Sequence, residues 1–193
     1  MNNKDIIIKI SGICGITLPI LFFSLLVFAL QQATWFSWTQ NAISDLGRPE
    51  SGVLCFNYAI IAIGFLLLIF SIGLYLSLDG ERVGPAIFAL SSIYFMGIGF
   101  FPLPDPNHVD VSGLFFIAFP LGYFVLGLQI FRKTCDFVCK MGYFAIIIGI
   151  VSLITPVFMF FHTGIAIPEF IIIMGGFIWC LIFGLGMLLN RLK

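Results

Sequence analysis

Charge is what this sequence has least of. Of its 193 residues only 9% are Asp, Glu, Lys or Arg while 61% are hydrophobic, against roughly 25% charged in an ordinary soluble domain. A chain this apolar has lipid as its solvent. Nine acids cancel nine Lys and Arg, so it lacks the basic surface that follows a phosphate backbone, and nucleic acid is excluded as a partner. Cysteine is sparse as well. The only close pair among the five, Cys135 and Cys139, falls in a connection read as cytoplasmic, where a disulfide framework is not expected. There is no internal repeat and no low-complexity segment, and no serine sits in a nucleophile motif. Whether the chain is an enzyme is left open by its residues.

What is present is apolar runs of membrane length. A span needs roughly 20 mostly apolar residues, and six stretches qualify: about 10–30, 54–78, 84–102, 111–131, 141–161 and 169–189. The first is too long for a signal-peptide core and has no clean cleavage site, so it reads as a retained span. The expectation is an all-α membrane protein, one compact six-helix bundle over residues 1–193. Lys4, Lys9, Arg82, Arg132, Lys133, Lys140, Arg191 and Lys193 fall on one side of the spans and Arg48 alone on the other. By the positive-inside rule both termini are then cytoplasmic, in a multi-pass protein of the cell membrane. Pro19, Pro120 and Pro156 lie within spans and mark kinks. Gly176, Cys180 and Gly184 repeat every four residues on one face of the last span, a small-residue stripe suited to a partner helix or a homo-oligomer contact.

The outer connections hold most of the remaining ionisable variety. After Trp35 and Trp38, whose rings suit the headgroup layer, comes Asn41-Ala42-Ile43-Ser44-Asp45-Leu46-Gly47-Arg48-Pro49-Glu50. Two readings fit it. In one, Ser44 or Asp45 caps a turn, Gly47 takes a left-handed conformation and Arg48 pairs with Asp45 or Glu50. In the other, Asn41, Ser44 and Asp45 share one face of a short interfacial helix at the bundle mouth, and Arg48 offers its planar fork to a phosphate or carboxylate. The third-to-fourth connection, Pro102-Leu103-Pro104-Asp105-Pro106-Asn107-His108-Val109-Asp110, is held extended by its prolines. Asp110 suits an N-cap of the fourth span and Asp105 a turn, whereas His108 has flanking carboxylates that can orient it or share a metal with it. In the last connection Pro168 and Glu169 fit the first turn of the sixth span, and His162 adds a second outer imidazole. Asp45, His108 and His162 would be the ligands of a divalent ion such as zinc, though their spacing is not diagnostic.

Asn41-x-x-Ser44-Asp45-Leu46-Gly47 after the first span, with Cys55-Phe56-Asn57 opening the second, resembles a prokaryotic family of six-span membrane proteins catalogued as domain of unknown function 998. A proline and an acid followed by a histidine after the third span, here Pro104, Asp105 and His108, extend the resemblance. It implies the six-span fold and carries no activity. A fainter likeness, to the Frag/DRAM/Sfk membrane proteins with their serine-aspartate pair in the first outer loop, would imply lipid handling or membrane organisation.

These readings converge on a polar site at the outer mouth that holds a lipid headgroup or small polar ligand, built from Asn41, Ser44, Asp45, Arg48, Glu50, Asp105, His108 and His162. A membrane-embedded, metal-dependent hydrolase of lipids is the alternative. A transporter would place ionisable groups near the midplane, where this sequence offers little beyond Asn57 and Gln129. An accessory subunit of a larger complex is the remaining class.

Overall fold

In the computed structural model, which describes residues 2–53, 55–155 and 164–192, six α-helices have the length and apolarity to cross a membrane. They are α1 (Asn3–Gln32), α2 (Phe56–Ser77), α3 (Val83–Phe100), α4 (Asn107–Ile130), α5 (Asp136–Ile154) and α6 (Ala166–Leu188). Two short 3₁₀ turns, Ile43–Gly47 and Pro49–Ser51, lie between α1 and α2. Each helix packs on its neighbours in sequence and α6 closes on α1, giving a six-helix membrane bundle. The spans begin earlier than the apolar runs at α1, α4 and α5, because polar first turns such as Asn107-His108-Val109-Asp110 continue into the helix. Pro156, like His162, lies outside the described residues.

Apolar side chains cover both surfaces of these helices. Ile13, Phe65, Ile117 and Ile147 are each more than half exposed. A patch of that size in water marks an interaction site or an aggregation hazard, and here it is the face turned to lipid. Inside, Trp179, Phe88, Phe119, Tyr123 and Phe177 are fully buried. The ring of Phe88 stands edge-on to Tyr123 with centroids 4.6 Å apart, and Trp179 stacks on Phe183 at 4.7 Å.

Lipid offers no hydrophobic drive between helices, so close backbone approach and interhelical hydrogen bonds do that work. The small-residue stripe on α6 meets α1 of the same chain: a Cβ on Gly184 would stand 2.5 Å from the Gly12 carbonyl oxygen. At Gly176 the neighbour is α4, whose Tyr123 hydroxyl donates to the Gly176 carbonyl at 2.7 Å and lies 3.2 Å from the Cys180 sulfur. Trp179 Nε1 donates to the Met141 carbonyl on α5 at 2.8 Å, and Ser11 Oγ to the Ile69 carbonyl on α2 at 2.9 Å. Gln129 accepts the Gly84 N–H at 2.8 Å; it is the penultimate residue of α4 and Asn57 the second of α2, so both polar groups expected near the midplane lie at helix ends.

Lys4 lies 3.5 Å from Asp79 and Lys133 lies 2.9 Å from Glu81, while Cys135 Sγ donates to the Arg191 carbonyl at 3.3 Å. These contacts gather the two ends of the chain and the α2–α3 and α4–α5 connections at one end of the bundle. The opposite, distal end carries the connections that hold the candidate site.

Candidate functional site

The α1–α2 connection is folded back across the distal end as a cap. Ile43 and Leu46 anchor it from below, both essentially without exposed surface. Asn41 does most of the local wiring. Its Oδ1 accepts the Ser37 N–H at 2.8 Å, and its carbonyl accepts the N–H groups of Ile165 and Ala166 at 3.1 and 2.9 Å. The cap is thereby tied to the start of α6. Gly47 makes a second tie, its carbonyl accepting Asn57 Nδ2 at 2.7 Å. A Cβ at Gly47 would collide with the Asn57 amide oxygen, so glycine is required by close approach. The left-handed residue of this segment is Gly52, at φ 80°, rather than Gly47.

Asp45 sits in the first 3₁₀ turn and closes a local network. One carboxylate oxygen accepts the Ala42 N–H at 2.8 Å and faces Asn41 Nδ2 at 3.4 Å. The other takes Arg48 Nε at 2.8 Å, and Arg48 Nη1 reaches Glu50 at 3.8 Å. Partial burial works against the charge on Asp45, but the Arg48 guanidinium, the Ala42 N–H and the Asn41 amide outweigh it and hold the carboxyl below its ordinary range. Both expected pairings of Arg48 are thus made. Trp35, Asn41, Asp45, Arg48, Glu50 and Ser51 line an open cavity of about 470 Å³.

A second cavity, of about 400 Å³, lies across the same strand of chain, between α4 and α6. Ser44, His108, Ser112 and Glu169 line it together with Leu103, Val109, Phe116, Pro168 and Ile172. Ser44 and Asp45, expected on one face with Asn41, serve different cavities, because the 3₁₀ turn starts only at Ile43 and no single helix presents all three residues. His108 is buried at 4% exposure, and its Nδ1 is 2.7 Å from the Phe101 carbonyl. A carbonyl only accepts, so that nitrogen carries the proton. It is this backbone oxygen, not Asp105 or Asp110, that orients the ring. Asp105 instead accepts the N–H and the side-chain amide of Asn107, at 2.8 and 2.9 Å, as the turn into α4. Asp110 lies inside the first turn of α4, since the helix begins at Asn107 and not after Asp110.

Glu169 is the residue whose part in the site the sequence did not disclose. It occupies the first turn of α6 as expected, yet it is 6% exposed, and one carboxylate oxygen accepts the Ile43 N–H at 2.5 Å. A Pro-Glu pair at a helix start signals a first turn; nothing in it signals the cap folded over its side chain. Asp45 and His108 line separate cavities, and the expected third metal ligand, His162, lies outside the described residues. Among the described residues no three His, Cys, Asp or Glu side chains gather as metal ligands.

The sequence matches the family described as "Protein of unknown function (DUF998)" over residues 16–186. No curated protein and no solved structure matches the chain.

Proposed function

Since the chain belongs to the DUF998 family, whose description assigns no activity, its role has to be read from its own residues, and we propose that its distal cavity binds a zwitterionic lipid headgroup of the phosphoethanolamine type. The observation that carries this reading is Arg48 held between Asp45 and Glu50 on the wall of a cavity of about 470 Å³. Arg48 has five N–H donors and uses its Nε on Asp45, so its outer nitrogens retain donors for a phosphate. Two carboxylates against one guanidinium leave a surplus of one negative charge, which suits the ammonium of the same headgroup. Trp35, 46% exposed on the rim, offers a ring face to that ammonium at the depth where tryptophan prefers to sit. The network is formed without ligand, which lowers the ordering cost of binding.

The test uses the full chain in a nonionic detergent, released into a mass spectrometer with ethanolamine and glycerol phospholipids of identical acyl chains. About a tenfold preference for the ethanolamine lipid is expected, as one charge-assisted contact supplies; Glu50→Gln, which removes the surplus negative charge, should lose it, while Arg48→Gln should weaken retention of both lipids. Competition by free phosphoethanolamine would show that the headgroup suffices; its failure with the lipid preference intact would show that the acyl chains contribute. Equal retention of both lipids by the wild type would overturn the proposal.

A further inference from the structure

Among the described residues, the cavity between α4 and α6 holds a carboxylate with no cation beside it. Glu169 is buried there, with one oxygen on the Ile43 N–H and no ion pair among the described residues. Arg48, the one Lys or Arg of the distal connections, lines the other cavity and is engaged by Asp45. The remaining polar groups of this wall do not neutralise Glu169. His108 turns its protonated Nδ1 to the Phe101 carbonyl. The hydroxyl of Ser112 is buried without a hydrogen-bond partner among the described residues, and that of Ser44 makes none there either. An unsatisfied buried hydroxyl is costly and a buried carboxylate without a counter-ion more so. The rest of the lining is apolar, from Leu103 and Val109 to Phe116 and Ile172. A volume of about 400 Å³ falls within the usual range for small-molecule sites, which join an apolar wall to a few convergent polar groups.

We infer that this cavity is a second binding site, and that its ligand is an amphiphilic primary amine whose ammonium pairs with Glu169 while its hydrocarbon body lies along Phe116 and Ile172. An ammonium brings three donors and no acceptor. It can serve the carboxylate and the two hydroxyl oxygens at once, which a neutral alcohol or an anion cannot. The inference does not depend on the headgroup proposal, because the two cavities share no lining residue.

The probes are dodecylammonium and its uncharged counterpart dodecanol, each presented to the full chain in a nonionic detergent at equal micellar mole fraction and counted as bound adducts by native mass spectrometry. Wild type should retain the amine about tenfold better than the alcohol. Glu169→Gln keeps an acceptor for the Ile43 N–H and should lose most of the preference, while Asp45→Asn, in the other cavity, should keep most of it. A fourth protein guards against misfolding of the Glu169 variant. A Cβ on Gly113, which also lines the cavity, would meet nothing within 4 Å, so Gly113→Leu has room for its new side chain and should exclude both probes. Equal retention of the two probes by wild type would overturn the inference, as would an amine preference that persists undiminished in Glu169→Gln or in Gly113→Leu. A preference lost in Asp45→Asn and kept in Glu169→Gln would move the ammonium to the other cavity and equally refute it.

Discussion

Asp45 and His108 show how differently two polar residues at one end of the bundle are held. Asp45 is fixed by charge: its depressed pKa means that its network is in force above the ordinary carboxylate range and is lost only as pH falls through the lower value of the folded chain. Retention of an ethanolamine headgroup should therefore persist down to about pH 4, the ordinary aspartate value, and fail below it. Measuring lipid adducts across pH 3 to 7 checks this, and loss of retention by pH 5 would mean that Asp45 is not the group in control. His108 is fixed by a hydrogen bond to a backbone carbonyl. His108→Ala should orphan the Phe101 oxygen and lower stability by about 1–3 kcal/mol, read as a lower melting temperature in detergent. His108→Asn, whose amide is a shorter donor, should recover part of that loss.

At the scale of elements, glycine decides which helices can meet. On α6, Gly184 brings its backbone against Gly12 of α1, and in the cap Gly47 admits the side chain of Asn57. Gly184→Leu should force α1 and α6 apart and Gly47→Val should lift the cap from α2, each costing about 1–3 kcal/mol as overpacking does. Gly175→Ala, with nothing within 4 Å of the new Cβ, should leave the melting temperature within the spread of ordinary surface changes. Thermal unfolding of the three purified variants distinguishes a requirement for close approach from a general preference for small residues. The same contrast shows what could be read from the sequence. Six apolar runs and a stripe of small residues on α6 announce spans and a contact face, since both are properties of one element. Which neighbour the stripe meets depends on the closure of α6 on α1, a long-range pairing that no local spacing encodes. Ser44 and Asp45 went to different cavities for a similar reason: their segment forms a 3₁₀ turn under the constraints of Asn41 and Gly47, not the α-helix that a three-and-four spacing assumes.

For the whole molecule, the division of charge between the two ends is the feature that governs how it sits in a membrane. Basic residues gather with the termini, and the acid-rich cap and both cavities lie at the distal end. Positive-inside placement would put the cavities on the face away from the cytoplasm, where they would sample the outer leaflet. The burial of Glu169 was hidden from sequence because it arises only when the α1–α2 cap and the start of α6 come together at this end, residues 43 and 169 meeting through one hydrogen bond. The native cysteines test the orientation directly. Cys55 is exposed at the distal end, Cys135 and Cys139 are partly exposed towards the end that holds the termini, and Cys14 and Cys180 are buried in the bundle. In sealed vesicles of known sidedness, a membrane-impermeant maleimide applied to the face away from the cytoplasm should label Cys55 and spare Cys135, with the Cys55→Ser variant blank. Applied to the cytoplasmic face, it should label Cys135 and spare Cys55. The opposite pattern would place both cavities on the cytoplasmic leaflet. The two ligand assignments, which rest on the residues lining the cavities, would stand, but the leaflet from which the protein draws its lipid would be reversed.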